Sequence, residues 1–177
     1  MIKRVLALLF LILLQLSAKQ YDSNIIDIEA KLFVKIALLE SSIQKSDNTL
    51  LRIYIVAKQI DNSAAMQFKN AIQADYPDML LNKKIVVKAV HFQDAVKQKP
   101  DAIIVLEHTE QKLREIAKWA NENKIVSFAY DPAYLEYGVL VSLYFGKTTQ
   151  PYLNKKIIQE YGFVFDPYLI QLSKFKE

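Results

Sequence analysis

Two hydrophobic patterns alternate along the chain. In the first, apolar residues recur with the spacing of one helix face, and in the second they follow one another as in a buried strand. The helical pattern predicts helices at residues 23–42, 63–74, 92–97, 110–122 and 155–161, and a last one from residue 166 through Phe175. The extended pattern predicts strands at residues 50–57, 84–90, 101–106, 125–129, 139–145 and 149–153.

Residues at the ends of the predicted helices support these boundaries. Ser63 and Thr109 are expected to cap helices, because a hydroxyl oxygen can accept a hydrogen bond from a backbone N–H group of the first turn. Gly162 is expected to end the helix before it, because glycine readily adopts the left-handed conformation that often follows a helix. Asp166 and Pro167 are expected to begin the last helix, since proline is tolerated in a first turn.

The order of these elements predicts the fold class. Strands separated by helices favour a mostly parallel sheet with right-handed connections. The last two predicted strands are joined by a tight connection that contains Gly146, which favours an antiparallel hairpin. We therefore predict a three-layer α/β fold, with a mostly parallel sheet flanked by helices, a C-terminal antiparallel hairpin and short final helices.

The first 18 residues, MIKRVLALLFLILLQLSA, differ from the rest of the chain. Lys3 and Arg4 precede an apolar run at residues 5–14, and the segment ends in small residues, which is the pattern of a secretory signal. The run is shorter than the roughly 20 residues that a membrane-spanning helix needs. We therefore predict a signal peptide over residues 1–18, cleaved after Ala18, and a single periplasmic α/β domain over residues 19–177.

Composition narrows the set of partners. The chain has 177 residues, 52% of them hydrophobic, with 23 Lys and Arg against 19 Asp and Glu. Removal of Lys3 and Arg4 with the signal lowers the net charge from +4 to +2. Only Arg52 and Arg114 then remain as arginines, and arginine is the residue best suited to phosphates and guanine edges. Nucleic acid is therefore not an expected partner.

Several kinds of chemistry are excluded by residues that the sequence lacks. The chain has three glycines, all after residue 137, so no glycine-rich phosphate loop can follow the first strand. It has no cysteine, which excludes thiol catalysis and thiolate metal sites. It also has no GxSxG motif of a serine hydrolase. We therefore predict a protein that is not an enzyme, with no catalytic residue, no cofactor and no resident metal.

A group of polar residues is expected at one edge of the sheet. Ligands of open α/β sheets bind beyond the carboxyl ends of the strands. Besides Lys58, the candidate ligand-binding residues predicted at these ends are His91, Glu107, His108, Thr109, Tyr130 and Asp131. A structural interpretation fits the same residues, because loops after strands are ordinarily polar. Residues 107–110 also fit a helix start with acids near its positive end.

Three longer stretches of the chain resemble one known family. They are IEAKLFVKIALLE at residues 28–40, FAYDPAYLEYGVLVSLYFGK at 128–147 and PYLNKKIIQEYGFVFDPYLIQLSK at 151–174. Together with the signal, they resemble the YfiR/HmsC family of small periplasmic proteins. The resemblance assigns Lys31 to the family's first helix, Gly138 to a turn before a hydrophobic strand, and Asn154 to the junction of a strand and a helix.

The resemblance implies a non-enzymatic regulator. The best-known members bind the periplasmic part of an inner-membrane diguanylate cyclase and hold it inactive, which restrains biofilm formation. The implied partners are the periplasmic domain of such a cyclase or of a sensor kinase, and a second copy of the chain in a homodimer. The binding surface is expected to be apolar and tyrosine-bearing, near the first and last helices.

Two alternatives to the regulator function stay open. The first is a small periplasmic ligand-binding domain, resembling one lobe of a transporter-associated binding protein, with its pocket around His108 and Asp131. The second is a metal-dependent hydrolase that uses His91, Glu107 and His108, because two histidines and a carboxylate can hold zinc or act as acid and base.

Overall fold

The computed structural model describes residues 21–60, 62–106 and 108–177, so the predicted signal peptide lies outside the described residues. The helices are α1 (Ser23–Leu38), α2 (Ser41–Lys45), α3 (Ser63–Asp75), α4 (Phe92–Gln98), α5 (Glu110–Glu122), α6 (Lys155–Tyr161) and α7 (Pro167–Leu172), with a 3-10 helix at Pro132–Tyr137. The strands are β1 (Leu50–Val56), β2 (Met79–Leu80), β3 (Lys83–Val90), β4 (Ala102–Val105), β5 (Val126–Ala129), β6 (Val141–Phe145), β7 (Thr149–Asn154) and β8 (Lys174–Lys176). None of the helices in this part of the chain is both long and apolar enough to cross a membrane.

In the described ranges, these strands form one eight-stranded sheet in the order β2-β3-β1-β4-β5-β6-β7-β8. β1 pairs in parallel with β3 on one side and with β4 on the other, and β5 and β6 continue the parallel arrangement. β2 and β3 pair antiparallel, as do β6 and β7, while β8 is parallel to β7. The predicted mostly parallel α/β sheet with an antiparallel hairpin near its end is therefore confirmed.

Helices cover both faces of the central strands β1, β4 and β5, which bury side chains on each face. In β1, Leu51, Ile53 and Ile55 face one helix layer, whereas Tyr54 and Val56 face the other. The first layer draws its apolar core residues from α1, α2, α3, α6 and α7, and the second layer from α4, α5 and the 3-10 helix. This is the three-layer arrangement predicted for a mostly parallel sheet.

The first predicted helix, at residues 23–42, is interrupted in the structure. α1 ends at Leu38, and Glu40 forms an isolated β-bridge with Phe165. The Glu40 carboxylate accepts hydrogen bonds from backbone N–H groups of the next turn and so caps α2. The prediction of one continuous helix is wrong because a contact with a residue far along the chain replaces the helical hydrogen bonds at this point.

The helix ends agree with the predicted caps except at one position. Asn62, and not Ser63, caps α3, because its side-chain oxygen accepts a hydrogen bond from the Ala64 N–H at 2.8 Å. Thr109 caps α5 as predicted, and Gly162 follows α6 with a φ of 65°. Both asparagine and serine are good caps, and here the asparagine one residue earlier occupies the position.

The last predicted helix is shorter than expected. α7 ends at Leu172, and Phe175 lies in β8, where it pairs with Leu153 of β7. The Ser173 hydroxyl donates a hydrogen bond to the Leu169 carbonyl at 2.6 Å and satisfies a carbonyl of the last turn. The segment after α7 is therefore a strand, which corrects the predicted extension of that helix.

Candidate ligand-binding site

The winding of the chain reverses between two neighbouring strands of the sheet. After β1, the chain passes through α3 to β3 on one side of β1, and after α4 it crosses to β4 on the other side. The loops that leave the carboxyl ends of β1 and β4 therefore diverge. Ligands of open α/β sheets bind at such a switch point.

A cleft of about 310 Å³ lies at this switch point, and we call it the switch-point cleft. Both loops contribute to it, since residues 57–59 and 62 follow β1 and residues 106, 108 and 109 follow β4. Asp61 and Glu107 belong to the same loops but lie outside the described residues. The described lining residues are Ala57, Lys58, Gln59, Asn62, Leu106, His108 and Thr109.

Two helices begin at the switch-point cleft. Asn62 caps α3 and Thr109 caps α5. The first N–H groups of a helix lack intrahelical acceptors, and they give this end of the helix a partial positive charge. The exposed Lys58 adds a full positive charge. The described lining therefore offers hydrogen-bond donors and positive charge, and it contains no carboxylate.

The half-buried imidazole ring of His108 lines the cleft. Its Nδ1 lies 3.1 Å from the carbonyl oxygen of Leu106. Because a carbonyl oxygen can only accept a hydrogen bond, we assign a proton to Nδ1. The contact fixes the orientation of the ring relative to the end of β4.

Of the six predicted ligand-binding residues, the described structure brings His108 and Thr109 together in the switch-point cleft. His91 follows β3 and is exposed at the start of α4, where its side chain makes no capping hydrogen bond. His91 does not line the cleft, and β1 lies between β3 and β4 in the sheet. Glu107 lies outside the described residues.

Tyr130 and Asp131 follow β5 and contact other parts of the chain. The Tyr130 hydroxyl accepts a hydrogen bond from the Asp22 N–H at 2.9 Å, and the centroid of its ring lies 4.7 Å from that of Tyr21. Asp131 accepts a hydrogen bond from the Ala133 N–H at 2.9 Å and caps the 3-10 helix. Neither residue lines the switch-point cleft.

The two histidines predicted for a metal-dependent hydrolase lie at different places on the sheet edge. His91 and His108 follow strands on opposite sides of β1. Residues 21–60, 62–106 and 108–177 contain no group of three or more His, Asp or Glu side chains placed to hold a metal ion. This part of the structure therefore gives the hydrolase interpretation no support.

The three residues assigned by the family resemblance make structural contacts. The Lys31 carbonyl accepts a hydrogen bond from the Tyr76 hydroxyl at 2.7 Å. Gly138 follows the 3-10 helix with a φ of 96°, a conformation that favours glycine. Asn154 is buried at the junction of β7 and α6, where its amide donates to two carbonyl oxygens at 2.8 and 3.2 Å. These positions support the fold, and none of them lines the switch-point cleft.

Some lining residues were not singled out in the sequence. The sequence pattern places Lys58 at the sheet edge and does not single out Gln59 and Asn62, although they belong to the mostly polar stretch KQIDNS that follows the first buried strand. Gln59 and Asn62 line the same cleft as His108 because β1 and β4 are neighbours in the sheet. Hydrophobic patterns show that strands exist, but they do not order strands in a sheet.

One buried acid lies near the carboxyl end of β5. Glu29 of α1 is fully buried, and neither of its carboxyl oxygens has a hydrogen-bond partner among the described residues. Burial, with a smaller contribution from the charge of Asp131, raises the pKa of Glu29 to about 9. Glu29 is therefore protonated and uncharged at neutral pH.

Fold and cleft together define a doubly wound α/β domain with a polar cleft at the switch point of its sheet. No protein-family model matches the chain, and no curated protein matches it either. Similarity to this chain is found instead among solved protein structures.

Three solved structures resemble this chain in fold. A conserved domain protein from Vibrio cholerae matches 86% of the chain, with a TM-score of 0.55 and 13% identity. The ABC domain from Streptococcus pneumonia, solved in complex with L-Trp, matches 82% of the chain, with a TM-score of 0.55 and 16% identity. A substrate binding protein with adhesive properties from Clostridium difficile, in a ligand-free open structure, matches 85% of the chain, with a TM-score of 0.53 and 14% identity. At these identities the likeness shows a shared fold.

The matched region is only a part of each of these proteins. This chain spans 60%, 61% and 59% of their respective lengths. Each of them therefore contains a further region without a counterpart in the match.

Proposed function

We propose that the chain is a non-enzymatic, small-molecule-binding domain whose ligand lies in the switch-point cleft. The observation that carries the proposal is the position of this polar cleft, between two diverging loops at the carboxyl edge of the sheet. Two of the three structures of similar fold are a complex with L-Trp and a substrate binding protein, which supports a binding role.

The lining of the cleft favours a ligand that carries a carboxylate. Lys58 supplies a positive charge, and the side-chain amide of Gln59 supplies N–H donors. Ala57 and Leu106 add apolar surface between these polar groups. An amino acid has both parts, since its carboxylate can pair with Lys58 while its side chain contacts the apolar residues. The side-chain amide oxygen of Gln59 can accept a hydrogen bond from its ammonium group.

L-Tryptophan is the first probe, because one protein of similar fold is solved with it. The purified chain is heated with L-tryptophan, with the other standard amino acids and with small organic acids, and the Tm is recorded. A ligand that binds only the folded state raises the Tm by about 5 to 10 °C at about 100 times its Kd.

A pair of lysine variants locates the site of any such ligand. We expect Lys58→Ala to weaken binding about fivefold, which is the upper range for an exposed ion pair. Lys97→Ala is the matched control, because the Lys97 side chain on α4 is 76% exposed and does not line the cleft. The proposal is wrong if no probe raises the Tm, or if Lys58→Ala and Lys97→Ala bind the ligand equally tightly.

A second candidate function is the regulator implied by the resemblance to the YfiR/HmsC family. The expected surface near the first and last helices has a counterpart in exposed apolar side chains, at Ile28 on α1 and at Val164, Tyr168 and Leu172 on or next to α7. Exposed apolar and tyrosine side chains suit a protein interface. The proposed partner is the periplasmic domain of an inner-membrane diguanylate cyclase or sensor kinase.

A pull-down from solubilised membranes tests the regulator. We expect the wild-type chain to enrich a cyclase or a sensor kinase, and a Tyr168→Ala, Leu172→Ala double variant to lose it. Lys58→Ala keeps the partner, because Lys58 lies in the cleft and not on α7. If the wild-type chain enriches no signalling receptor, the regulator proposal is abandoned.

A further inference from the structure

A groove of about 660 Å³ lies where the second helix layer leaves the sheet uncovered. The core of that layer contains no described residue of β6, β7 or β8. The groove follows these strands and the turn after β5. We call it the aromatic groove, and its main lining residues are Pro132, Tyr144, Phe145, Tyr152, Lys174 and Phe175.

The rings of the aromatic groove face solvent in a defined arrangement. Tyr144, Phe145 and Phe175 are 40%, 41% and 37% exposed. The rings of Tyr144 and Tyr152 meet edge to face, with their centroids 6.3 Å apart. Gly146 allows this position of the Tyr144 ring, because a Cβ atom at residue 146 would lie 2.7 Å from it. The hairpin backbone therefore helps to set the shape of the groove.

One positive charge lies among these rings. The Nζ of Lys174 is 3.4 Å from the centroid of the Tyr144 ring, which is a cation–π contact. The next lysine of β8 is different, because the Nζ of Lys176 lies 3.2 Å from a carboxylate oxygen of Glu136. Within the described residues, Lys174 forms no salt bridge, and no carboxylate lines the groove.

We propose that the aromatic groove is a second binding site, for a small carboxylic acid with an aromatic body. The carboxylate pairs with the ammonium of Lys174, and the ring of the ligand packs on Tyr144 and Tyr152 in edge-to-face or offset contacts. Charge complementarity selects an acid over an amine, since the described lining holds a cation and no anion. The site is separate from the switch-point cleft, because the two share no described lining residue.

Phenylacetate is the probe, and amide chemical shifts of the ¹⁵N-labelled chain are the readout. We expect saturable shifts at residues 144, 145, 152 and 173–175, with a Kd of about 1 mM for a ligand of about ten non-hydrogen atoms. Phenylacetamide carries the same ring without the charge, and we expect it to bind about fivefold more weakly.

Variants distinguish the contribution of the Lys174 charge to ligand binding from that of the aromatic rings. Lys174→Ala weakens phenylacetate binding about fivefold and leaves phenylacetamide binding unchanged. Lys155→Ala is the control, because the Nζ of Lys155 pairs with Glu177 at 3.0 Å and does not line the groove. Gly146→Ala displaces the Tyr144 ring and weakens the binding of both ligands.

The inference is overturned if the groove amides show no saturable shift at about ten times the expected Kd. It is also overturned if Lys174→Ala binds phenylacetate as the wild type does, or if the shifts map only to the switch-point cleft. Lys58→Ala distinguishes this inference from the proposed function, because we expect it to leave the shifts at residues 144–152 unchanged.

Discussion

Polar side chains at the amino edge of the sheet bind other parts of the chain, whereas those that follow β1 and β4 at the carboxyl edge line a cleft. At the amino edge, the Arg52 guanidinium donates hydrogen bonds of 3.0 and 3.1 Å to Asp101, which joins β1 to the start of β4. Asn154 at the same edge is buried and joins β7 to the residues before β6. At the carboxyl edge, Lys58 and His108 line the switch-point cleft.

This difference between the two edges predicts which variants lose stability and which lose ligand affinity. A buried polar group with all its partners is costly to remove, because the partners are left without a hydrogen bond. An exposed side chain in a cleft contributes little to the free energy of folding, so its removal mainly lowers ligand affinity. Variants at the amino edge should therefore unfold more easily, and variants at the carboxyl edge should keep their stability and lose affinity.

The largest expected effect on the free energy of unfolding comes from Glu29, a buried acid near Asp131. Glu29 is buried like a residue of the amino edge, but it lies near the carboxyl end of β5. Its folded pKa of about 9 exceeds the ordinary glutamate pKa of 4.5, so the folded state binds the proton more tightly than the unfolded state does. The resulting stability is fully present below about pH 4.5 and is lost as the pH rises toward about 9. Between pH 5 and pH 8, this group should lower the free energy of unfolding by on the order of 4 kcal/mol.

Urea unfolding at several pH values measures this effect. Glu29→Gln cannot ionise and should lose most of the pH dependence, while Glu115→Gln, on an exposed part of α5, should keep it. A Glu29→Gln variant with the pH dependence of the wild type would contradict the assignment.

The next largest effect is expected from Asn154 at the amino edge. Asn154→Ala leaves the carbonyl oxygens of Leu135 and Val139 and the N–H of Ile157 without their partner. We expect a loss of about 3 kcal/mol in the free energy of unfolding, with ligand affinity unchanged. Urea unfolding and ligand titration of the same variant check both parts.

An exposed asparagine is the control for this variant. Asn123 donates a hydrogen bond to the Trp119 carbonyl at 2.8 Å on the surface of α5. Asn123→Ala should cost about 0.5 kcal/mol or less. Equal losses for the two variants would show that burial of Asn154 is not the cause.

A smaller loss is expected for Asp101→Ala, because this carboxylate is partly exposed. The change removes both hydrogen bonds from the Arg52 guanidinium and a third from the Arg52 N–H at 2.8 Å. We expect it to cost about 2 kcal/mol. Glu115→Ala, which removes an exposed pair with Lys112, should cost about 0.5 kcal/mol or less. If Asp101→Ala unfolds like the wild type, the amino edge is not held together in this way.

The smallest effect on stability is expected at the carboxyl edge. Lys58→Ala and Gln59→Ala remove exposed side chains of the switch-point cleft and should change the free energy of unfolding by about 0.5 kcal/mol or less. Urea unfolding of both variants beside Asp101→Ala gives the comparison directly. A loss as large as that of Asp101→Ala would remove the distinction between the two edges.

Local patterns predicted those elements whose boundaries depend on nearby residues. α5 is an example, since Thr109 caps it and Leu113, Ile116 and Ala120 recur at helical spacing on its buried face. Elements that depend on distant contacts are not predictable from local patterns. The bridge between Glu40 and Phe165 divides the first predicted helix. The turn between β2 and β3 places Leu81 and Asn82 at positive φ without a glycine, and of these two only Asn82 is a typical turn residue, so the sequence signal is weak.

The same reasoning explains which part of the site was predictable. A strand followed by a polar loop places His91, His108 and Tyr130 at the carboxyl edge, but it does not state which of them are neighbours. The order β3-β1-β4-β5 decides this, and it brings His108 to the loop that holds Lys58. Strand order depends on long-range pairing, which hydrophobic periodicity does not encode.

Mapping of a bound ligand by amide chemical shifts compares the two edges of the sheet in one experiment. The ¹⁵N-labelled chain is titrated with L-tryptophan, and amide shifts are followed at both edges of the sheet. We expect saturable shifts at residues 57–59, 62, 106, 108 and 109, which Lys58→Ala weakens and Asp101→Ala leaves in place. Saturable shifts confined to the amino edge, or no saturable shift at any residue, would contradict this expectation.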